Sequence, residues 1–287
     1  MKLSIVNSGN FKLDGGAMFG VVPKSIWNRL NPADERNLCT WAMRCLLVED
    51  GDRKILIDAG LGDKQDEKFM SFFEPHGKET IHSELADIHL SPDDITDVFI
   101  THLHFDHVGG ALIKNQDGQI VPAFRNATFW SNKDHFDWAY TPNEREKSSF
   151  LKENFVPLRD QEVLKFVPTE EGFKLFENFS VSFSNGHTEA MMIPHIHLPN
   201  GNILVYGADL MPSSLHARKP YVMAYDIRPL VTLEERQVFY DFAVQENVYV
   251  FFEHDPVHAV GKLKMNERGR YYFDTAMSLD EICLPVE

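Results

Sequence analysis

The chain is poor in cysteine: Cys39, Cys45 and Cys283 are the only three in 287 residues. Their number is odd, and no two have the Cys-x-x-Cys spacing of a redox motif or a zinc knuckle. Disulfide frameworks, which stabilise small secreted domains, need paired cysteines. The sequence therefore excludes a disulfide-rich fold and a cysteine-based zinc site, and it predicts buried, unreactive thiols.

Long apolar runs are absent as well. The most apolar stretches, such as Val248 to Phe252, are far shorter than the ~20 residues needed to cross a bilayer. The amino-terminal segment turns polar after six residues, too early for the apolar part of a secretory signal peptide. We therefore expect a soluble, cytoplasmic protein without a membrane partner.

Basic residues are outnumbered: 28 Lys and Arg stand against 43 Asp and Glu, which gives a net charge of −15. This charge repels phosphate backbones, so nucleic acid is not expected as a partner. Hydrophobic residues at 43% and charged residues at 25% are typical of soluble globular proteins. No Pro-, Gly- or Ser-rich linker interrupts the chain, and we predict one domain over residues 1–287.

Strand-like runs separated by turns dominate the sequence. Two of them, Met43 to Glu49 and Lys54 to Asp58, are joined by a turn-forming Asp-Gly-Asp and predict a hairpin. A helix is predicted from His82 to His89, and residues 131–165 suit an inserted helical segment over the mouth of a site. Alternating strands and helices favour a layered α/β or α+β domain. The other predicted strands are Lys2 to Asn7, Asp97 to Thr101, Phe179 to Phe183, Ile203 to Tyr206 and Val248 to Phe252.

Four potential metal ligands lie within six residues, directly after the strand that ends at Thr101. In extended backbone His102 and His104 point to the same side, and a turn through Asp106 and His107 directs the next pair to a neighbouring point. Imidazole and carboxylate groups suit zinc and related divalent metals. The segment therefore predicts a metal site, and it can serve two metals.

Three later strand ends carry the same residue types, at His187, Asp209 and His254. Each has an ordinary alternative: a polar loop residue, a helix cap and a core histidine, respectively. Their order and spacing become informative when they are considered together with the segment from His102 to His107. His102, His104, Asp106 and His107 form the His-x-His-x-Asp-His motif and resemble the metallo-β-lactamase superfamily, whose later ligand positions these three residues match in order.

The resemblance spans roughly Met43 to Val260 and implies a four-layer αββα sandwich of the α+β class, with two packed mixed sheets and helices outside. It implies two divalent metal ions, zinc with manganese or iron as alternatives, and water as the nucleophile. Asp106 and Asp209 are the candidate catalytic carboxylates. One metal would be held by His102, His104 and His187, the other by Asp106, His107 and His254, with Asp209 bridging them.

Asp58, at the end of an early strand, matches the family's acidic residue that orients the metal ligands. Its alternative is a turn carboxylate before Gly60. The remaining histidines match no family position and are predicted to be mostly surface or loop residues, with His195 and His197 on a hairpin arm away from the metals. These eight are His76, His82, His89, His135, His195, His197, His216 and His258.

Asp209 stands where antibiotic-hydrolysing members with two zincs usually carry cysteine. The chain therefore resembles the quorum-quenching lactonase and methyl parathion hydrolase-like branch, which implies a hydrolase of neutral esters or lactones, or of phosphotriesters. Pro212 departs from this pattern, because those lactonases carry a tyrosine there. The alternatives are a di-iron redox enzyme, disfavoured by His104, and a non-catalytic binding protein, disfavoured by the complete ligand set.

The substrate pocket is weakly specified. Gly15 to Val21 is an apolar loop, and it could line the mouth of a site for a small neutral or hydrophobic substrate. The same loop could equally be core or be buried in a homo-oligomer. Other residues that suit an apolar wall are Phe105, Met211, Met223 and Tyr225.

Overall fold

The computed structural model describes residues 1–284, and the chain divides into two compact units. The first comprises Met1–Gly9, Met43–Phe173 and Ala190–Met192, and the second comprises Asn10–Ala42, Lys174–Glu189 and the described part of Ile193–Glu287. Each unit has its own mixed sheet and its own helices. The α+β class is confirmed, whereas the single domain stays a prediction.

The first unit is built on a six-stranded sheet in the order β1-β2-β3-β4-β7-β8. The predicted hairpin is confirmed, since β2 and β3 pair antiparallel from Leu46 with Ile57 to Asp50 with Arg53. Strands β3, β4, β7 and β8 are parallel neighbours. The strands of this sheet are β1 (Lys2–Asp14), β2 (Leu38–Asp50), β3 (Arg53–Ile57), β4 (Asp97–Phe99), β7 (Thr128–Asn132) and β8 (Leu164–Val167). The strands β5 (Leu112–Lys114) and β6 (Ile120–Pro122) pair antiparallel in a separate two-stranded sheet.

A seven-stranded sheet in the order β15-β14-β13-β12-β11-β10-β9 forms the second unit. Its β12 and β13 are parallel, while β11–β12, β13–β14 and β14–β15 are antiparallel. The strands are β9 (Phe173–Phe176), β10 (Phe179–Ser184), β11 (Met191–His197), β12 (Ile203–Tyr206), β13 (Tyr249–Phe251), β14 (Val260–Met265) and β15 (Tyr271–Met277). The predicted hairpin arm that carries His195 and His197 is the β11–β12 pair.

In chain order the helices are α1 (Gly15–Phe19), α2 (Lys24–Trp27), α3 (Glu67–Phe73), α4 (Ile81–Asp87), α5 (Phe105–Val108), α6 (Lys133–Tyr140), α7 (Val156–Asp160), α8 (Pro229–Gln245) and α9 (Leu279–Cys283). The predicted helix ends at Asp87 rather than His89, because His89 has a left-handed φ of 62° that an α-helix cannot continue. None of the helices in residues 1–284 combines the length and apolar composition needed to cross a membrane.

The prediction of an inserted helical segment over residues 131–165 needs correction at both ends. The segment contains α6 and α7, but it begins within β7 and ends within β8, so both of its ends belong to the sheet. The charged and aromatic composition gave no clear strand signal at these ends. Trp130 and Lys165, for example, pair in the sheet, but Trp130 is partly exposed and Lys165 is exposed at the surface of the sheet. The two helices are therefore a crossover between parallel strands.

A continuous cluster of buried hydrophobic residues forms the core of the first unit. It joins residues of β2, β3 and β4, such as Leu47, Leu56 and Val98, to aromatic rings that include Phe129 and Phe155. Cys45 belongs to it, and Cys39 is buried in the second unit, where burial raises the pKa of its thiol to about 11. Burial of these two thiols is confirmed; Cys283 is half-buried.

Candidate metal-binding residues

In the first unit, the chain leaves β4 in an extended conformation and then turns into α5. The ligand atoms of His102 and His104 lie within 4.8 Å of each other, and both side chains are buried. On α5, Nε2 of His107 lies 3.9 Å from a carboxylate oxygen of Asp106. The extended stretch thus pairs the first two histidines, and the helix pairs the next two side chains.

Asp58 holds both ends of this segment. It follows β3 with a left-handed φ of 60°, a conformation that Asp tolerates better than most residues. One carboxylate oxygen accepts the backbone N–H of Thr101 at 2.7 Å, and the other lies 3.0 Å from Nδ1 of His107. Because Asp58 takes up Nδ1, Nε2 is the ring atom with which His107 could bind a metal.

The glycines after the ligands allow a close approach between two backbone segments. A Cβ atom at Gly109 would collide with the carbonyl oxygen of Leu61, and one at Gly110 would collide with that of Ala59. The N–H of Ala59 donates to the carbonyl of His107 at 2.7 Å. The loop after β3 therefore packs directly on the ligand segment, which only glycine at both positions permits.

His135 also belongs to this segment, although its sequence context gave no sign of it. The backbone N–H of Leu103, between two candidate ligands, donates to Nε2 of His135 at 2.8 Å. Asn132 caps α6 by accepting the N–H of His135 and donates to the carbonyl of Ala190 at 2.7 Å. His135 is fully buried, so the prediction of a surface or loop residue is wrong for it.

A second residue that sequence reasoning missed is Glu146. Its Oε1 lies 3.8 Å from Nε2 of His104, and its side chain is buried. Its other oxygen accepts hydrogen bonds from Trp138 and Asn143. Glu146 lies 39 positions beyond His107 in sequence, so no local spacing could have connected it with the motif.

In the second unit, three strand ends bring their candidate ligands together around one carboxylate. Nε2 of His187, which follows β10, lies 3.0 Å from Oδ2 of Asp209. Nε2 of His254, which follows β13, lies 3.4 Å from Oδ1 of the same residue. Asp209 itself lies in a short 3₁₀ turn after β12. Its two carboxylate oxygens thus face one histidine each.

Both of these histidines are oriented through their other ring nitrogen. Nδ1 of His187 lies 2.9 Å from Oδ1 of Asp226, and Nδ1 of His254 lies 2.8 Å from the carbonyl oxygen of Ala42. Asp226 is buried and was not among the predicted residues, because it lies 39 positions from His187 in a segment without a motif. Such partners fix the ring and leave Nε2 for a metal.

The electrostatics around His187 favour a cation. Burial alone lowers the pKa of an imidazole, but the carboxylates of Asp209 and Asp226 outweigh it and raise the pKa of His187 to about 10. A divalent metal at Nε2 supplies positive charge at the same place as the proton. Each unit presents imidazole and carboxylate groups, the donor types that borderline divalent ions prefer, and the residues present fit such metals.

His216 is the other correction among the remaining histidines. It is fully buried, with Nδ1 at 2.7 Å from Oγ of Ser213 and Nε2 at 2.9 Å from the carbonyl of Met18. Its ring stacks on Phe19 at 5.2 Å between centroids. Within the apolar loop Gly15 to Val21, Met18 and Phe19 therefore serve as core of the second unit, while Val21 is exposed.

Phe105, which precedes the candidate ligand Asp106, lies in an aromatic group of the first unit. Its ring centroid is 5.2 Å from that of Phe69 and 4.5 Å from that of Phe73, both on α3. No side chain of α3 is fully buried. These partly exposed aromatic rings therefore form an apolar surface next to the segment from His102 to His107. Of the other predicted wall residues, Met211 and Met223 are buried and Tyr225 is exposed.

Comparison with known proteins gives the same family as the sequence motif. The family model of the metallo-β-lactamase superfamily matches residues 44–228. A solved probable metal-dependent hydrolase from Staphylococcus aureus has a TM-score of 0.83 and 29% identity, over 96% of this chain and 98% of that chain. AidC, described as a dizinc quorum-quenching lactonase in complex with a product, N-hexanoyl-L-homoserine, has a TM-score of 0.77 over 96% of this chain and 95% of that chain. Its identity is 22%, so this likeness concerns the fold alone.

A curated protein also matches part of the sequence. A 3′,5′-cyclic-nucleotide phosphodiesterase from Aliivibrio fischeri is 25% identical over 143 residues. These residues make up 48% of this chain and 42% of the phosphodiesterase, so the match spans less than half of that protein.

Proposed function

As a member of the metallo-β-lactamase superfamily, the chain is a hydrolase, and we propose that it cleaves a small neutral ester or lactone, with phosphotriesters as related substrates, at a binuclear metal centre. The observation that carries this proposal is the position of Asp209. Its two carboxylate oxygens lie 3.0 Å and 3.4 Å from the Nε2 atoms of His187 and His254. A carboxylate so placed suits a bridge between two ions.

The proposed ligand sets follow the family. One metal is assigned to His102, His104 and His187, the other to Asp106, His107 and His254, and Asp209 is shared. When bound, two divalent cations lower the pKa of water toward neutrality and polarise a carbonyl or phosphoryl oxygen. Zinc is proposed, with manganese and iron as the alternatives, because imidazole and carboxylate donors suit all three.

The chain's own residues then have separate tasks. Asp106 and Asp209 accept hydrogen bonds from the attacking water and orient it toward the substrate. Asp58 fixes the ring of His107, and Asp226 fixes the ring of His187. Such partners also raise the basicity of the imidazoles they hold.

Two observations support a neutral substrate. The aromatic group of Phe69, Phe73 and Phe105 adjoins the ligand segment and offers apolar surface rather than cationic clamps. The net charge of −15 disfavours polyanions in general. The fold likeness to a lactonase agrees with a lactone, whereas the partial match to a cyclic-nucleotide phosphodiesterase makes a phosphodiester the competing substrate.

The decisive experiment combines metal analysis with a substrate panel. Purified protein should carry up to two metal ions per chain by elemental analysis. It should hydrolyse aryl esters or acyl-homoserine lactones fastest, phosphotriesters next, and a β-lactam slowly, with all activity lost in chelator and restored by zinc, manganese or iron. Asp209→Asn serves as the inactive reference.

Three outcomes would overturn the proposal. Exclusive turnover of bis-nitrophenyl phosphate would identify a phosphodiesterase. Reduction of oxygen or nitric oxide by iron-loaded protein would identify the redox alternative. Full metal loading without turnover of any substrate in the panel would favour a non-catalytic binding protein.

A further inference from the structure

A cleft of about 540 Å³ lies on the second unit, between the segment Arg218 to Tyr221, the helix α8 and the turn that joins β14 to β15. None of the candidate metal ligands lines it. Its volume falls within the range of small-molecule sites. The lining residues are Arg218, Lys219, Pro220, Tyr221, Gln237, Asn266, Gly269, Arg270, Tyr271 and Tyr272.

The charge of this cleft is opposite to that of the chain. Arg218, Lys219 and Arg270 contribute three cations, and the residues that line the cleft include no carboxylate. Acidic residues outnumber basic ones by 43 to 28 over the whole sequence. A concave basic surface on so acidic a protein concentrates small anions locally, because low-dielectric walls focus the field.

The two walls are fixed before any ligand binds. On one side, Oδ1 of Asn266 accepts the backbone N–H groups of Arg268 and Arg270, which closes the β14–β15 turn. On the other, the buried guanidinium of Arg236 donates to the carbonyl of Tyr221 at 2.6 Å. Preorganised walls reduce the entropy that binding must otherwise supply.

The floor of the cleft is a closed hydrogen-bond network. Nζ of Lys219 donates to Gln237 at 2.8 Å, and Gln237 donates to the hydroxyl of Tyr271 at 2.9 Å and to Asp241 at 2.8 Å. Tyr271 also donates to Asp241. These bonds from Tyr271 and Gln237 lower the pKa of Asp241, whose charge offsets part of that of Lys219. The two arginines are the exposed cations that face a ligand.

We propose that this cleft binds a small phosphomonoester, with Arg218 and Arg270 holding the phosphate and the ring of Tyr272 contacting its organic part. A guanidinium offers paired N–H donors that match two phosphate oxygens, and two such groups suit a dianion. The exposed Tyr272 supplies a flat apolar face beside them, and the guanidinium of Arg218 lies 5.9 Å from the ring centre of the buried Tyr221. The site is separate from the proposed hydrolytic reaction and does not depend on it.

The test uses phenyl phosphate as the probe, titrated calorimetrically into the full-length protein at constant ionic strength. The double variant Arg218→Gln, Arg270→Gln should bind it at least about tenfold more weakly, because hydrogen bonds to charged groups are the strong ones. The double variant Arg29→Gln, Arg145→Gln removes the same charge from exposed positions elsewhere and should bind as the wild type does.

A chelator arm separates the cleft from the metal centre, which could also attract phosphate. Binding should persist after metal removal and should fall in the single variant Arg270→Gln, whose exposed position leaves folding intact by circular dichroism. The proposal fails if chelator abolishes binding while the arginine variants retain it, if both double variants lose affinity equally, or if wild-type protein does not bind the probe at millimolar concentration.

Discussion

The two units present their candidate ligands in opposite ways. In the first, four ligands come from one segment of six residues, so local backbone geometry alone sets their relative positions. In the second, His187, Asp209 and His254 come from three strand ends that are 22 and 45 positions apart along the chain. Parallel pairing of β12 with β13 brings the last two together.

The residues that orient the candidate ligands also differ between the two units. Asp58 holds the first segment at two points, Thr101 and His107, and His135 holds it at Leu103. In the second unit each histidine has its own separate partner, Asp226 or the carbonyl of Ala42. A few hydrogen bonds can orient all the ligands of one contiguous segment, whereas ligands from separate strands each need a hydrogen-bond partner of their own. Variants of the two sets should therefore behave differently.

The largest effect is expected for Asp209→Ala, which removes the one carboxylate that faces both histidines of the second unit. Turnover should fall by well over ~100-fold, the upper end of losses seen when only a supporting residue is removed. The melting temperature should change little, since Asp209 lies at the site rather than in the core. Steady-state kinetics and thermal unfolding measure the two effects, and retained turnover would show that the bridge is misassigned.

A matched pair comes next: Asp58→Ala in the first unit and Asp226→Ala in the second. Each should lower activity about 10–100-fold. Because Asp58 also binds Thr101, its variant should lose stability as well, while Asp226→Ala should mainly weaken metal affinity. Competition with a chromophoric chelator and urea unfolding distinguish these effects. Equal losses of stability in both variants would contradict the difference between the units.

His135 gives a smaller effect, limited to the first unit. His135→Ala leaves the N–H of Leu103 without its acceptor, which should cost roughly 1–3 kcal/mol of stability and lower kcat more than it raises KM. His135→Gln restores an acceptor and should recover most of the kcat. In cobalt-substituted protein the visible spectrum should shift for the Ala variant only. An unchanged spectrum in both variants would indicate a purely structural role.

The last effect concerns stability rather than turnover and is a pH dependence from His216. Burial and the charge of Arg236 lower its pKa to about 4 in the native state, against ~6.5 in the unfolded chain. Between these values the unfolded chain binds the proton and the native protein does not, so this contribution to stability is complete above pH ~6.5 and is lost as pH falls toward ~4. The loss is on the order of 3 kcal/mol.

Urea unfolding at pH 7.5 and pH 5 measures this contribution. His216→Asn keeps a neutral polar side chain and should lose less stability between the two pH values than the wild type does. The exposed His82→Asn is the control and should follow the wild type. An identical pH dependence in His216→Asn and the wild type would show that His216 does not carry it.

Several features of this protein follow from local chemistry alone. The density of ligand types from His102 to His107 indicated a segment suited to a metal, the turn at Gly51 predicted the β2–β3 hairpin, and the His-x-His-x-Asp-His motif, with His187 and Asp209 following in order, indicated the family. These features depend on backbone periodicity and on side chains a few positions apart, which a sequence displays directly.

Only the tertiary structure identified the residues that hold the ligands. Asp226, His135 and Glu146 lie 39, 32 and 42 positions from the residues they contact, and no spacing rule connects them. The structure also showed that His216 is buried in the core and that both ends of residues 131–165 belong to strands of the sheet. The physical reason is that a buried polar group is satisfied by whichever partner the fold brings within about 3 Å, and chain distance has no part in that choice.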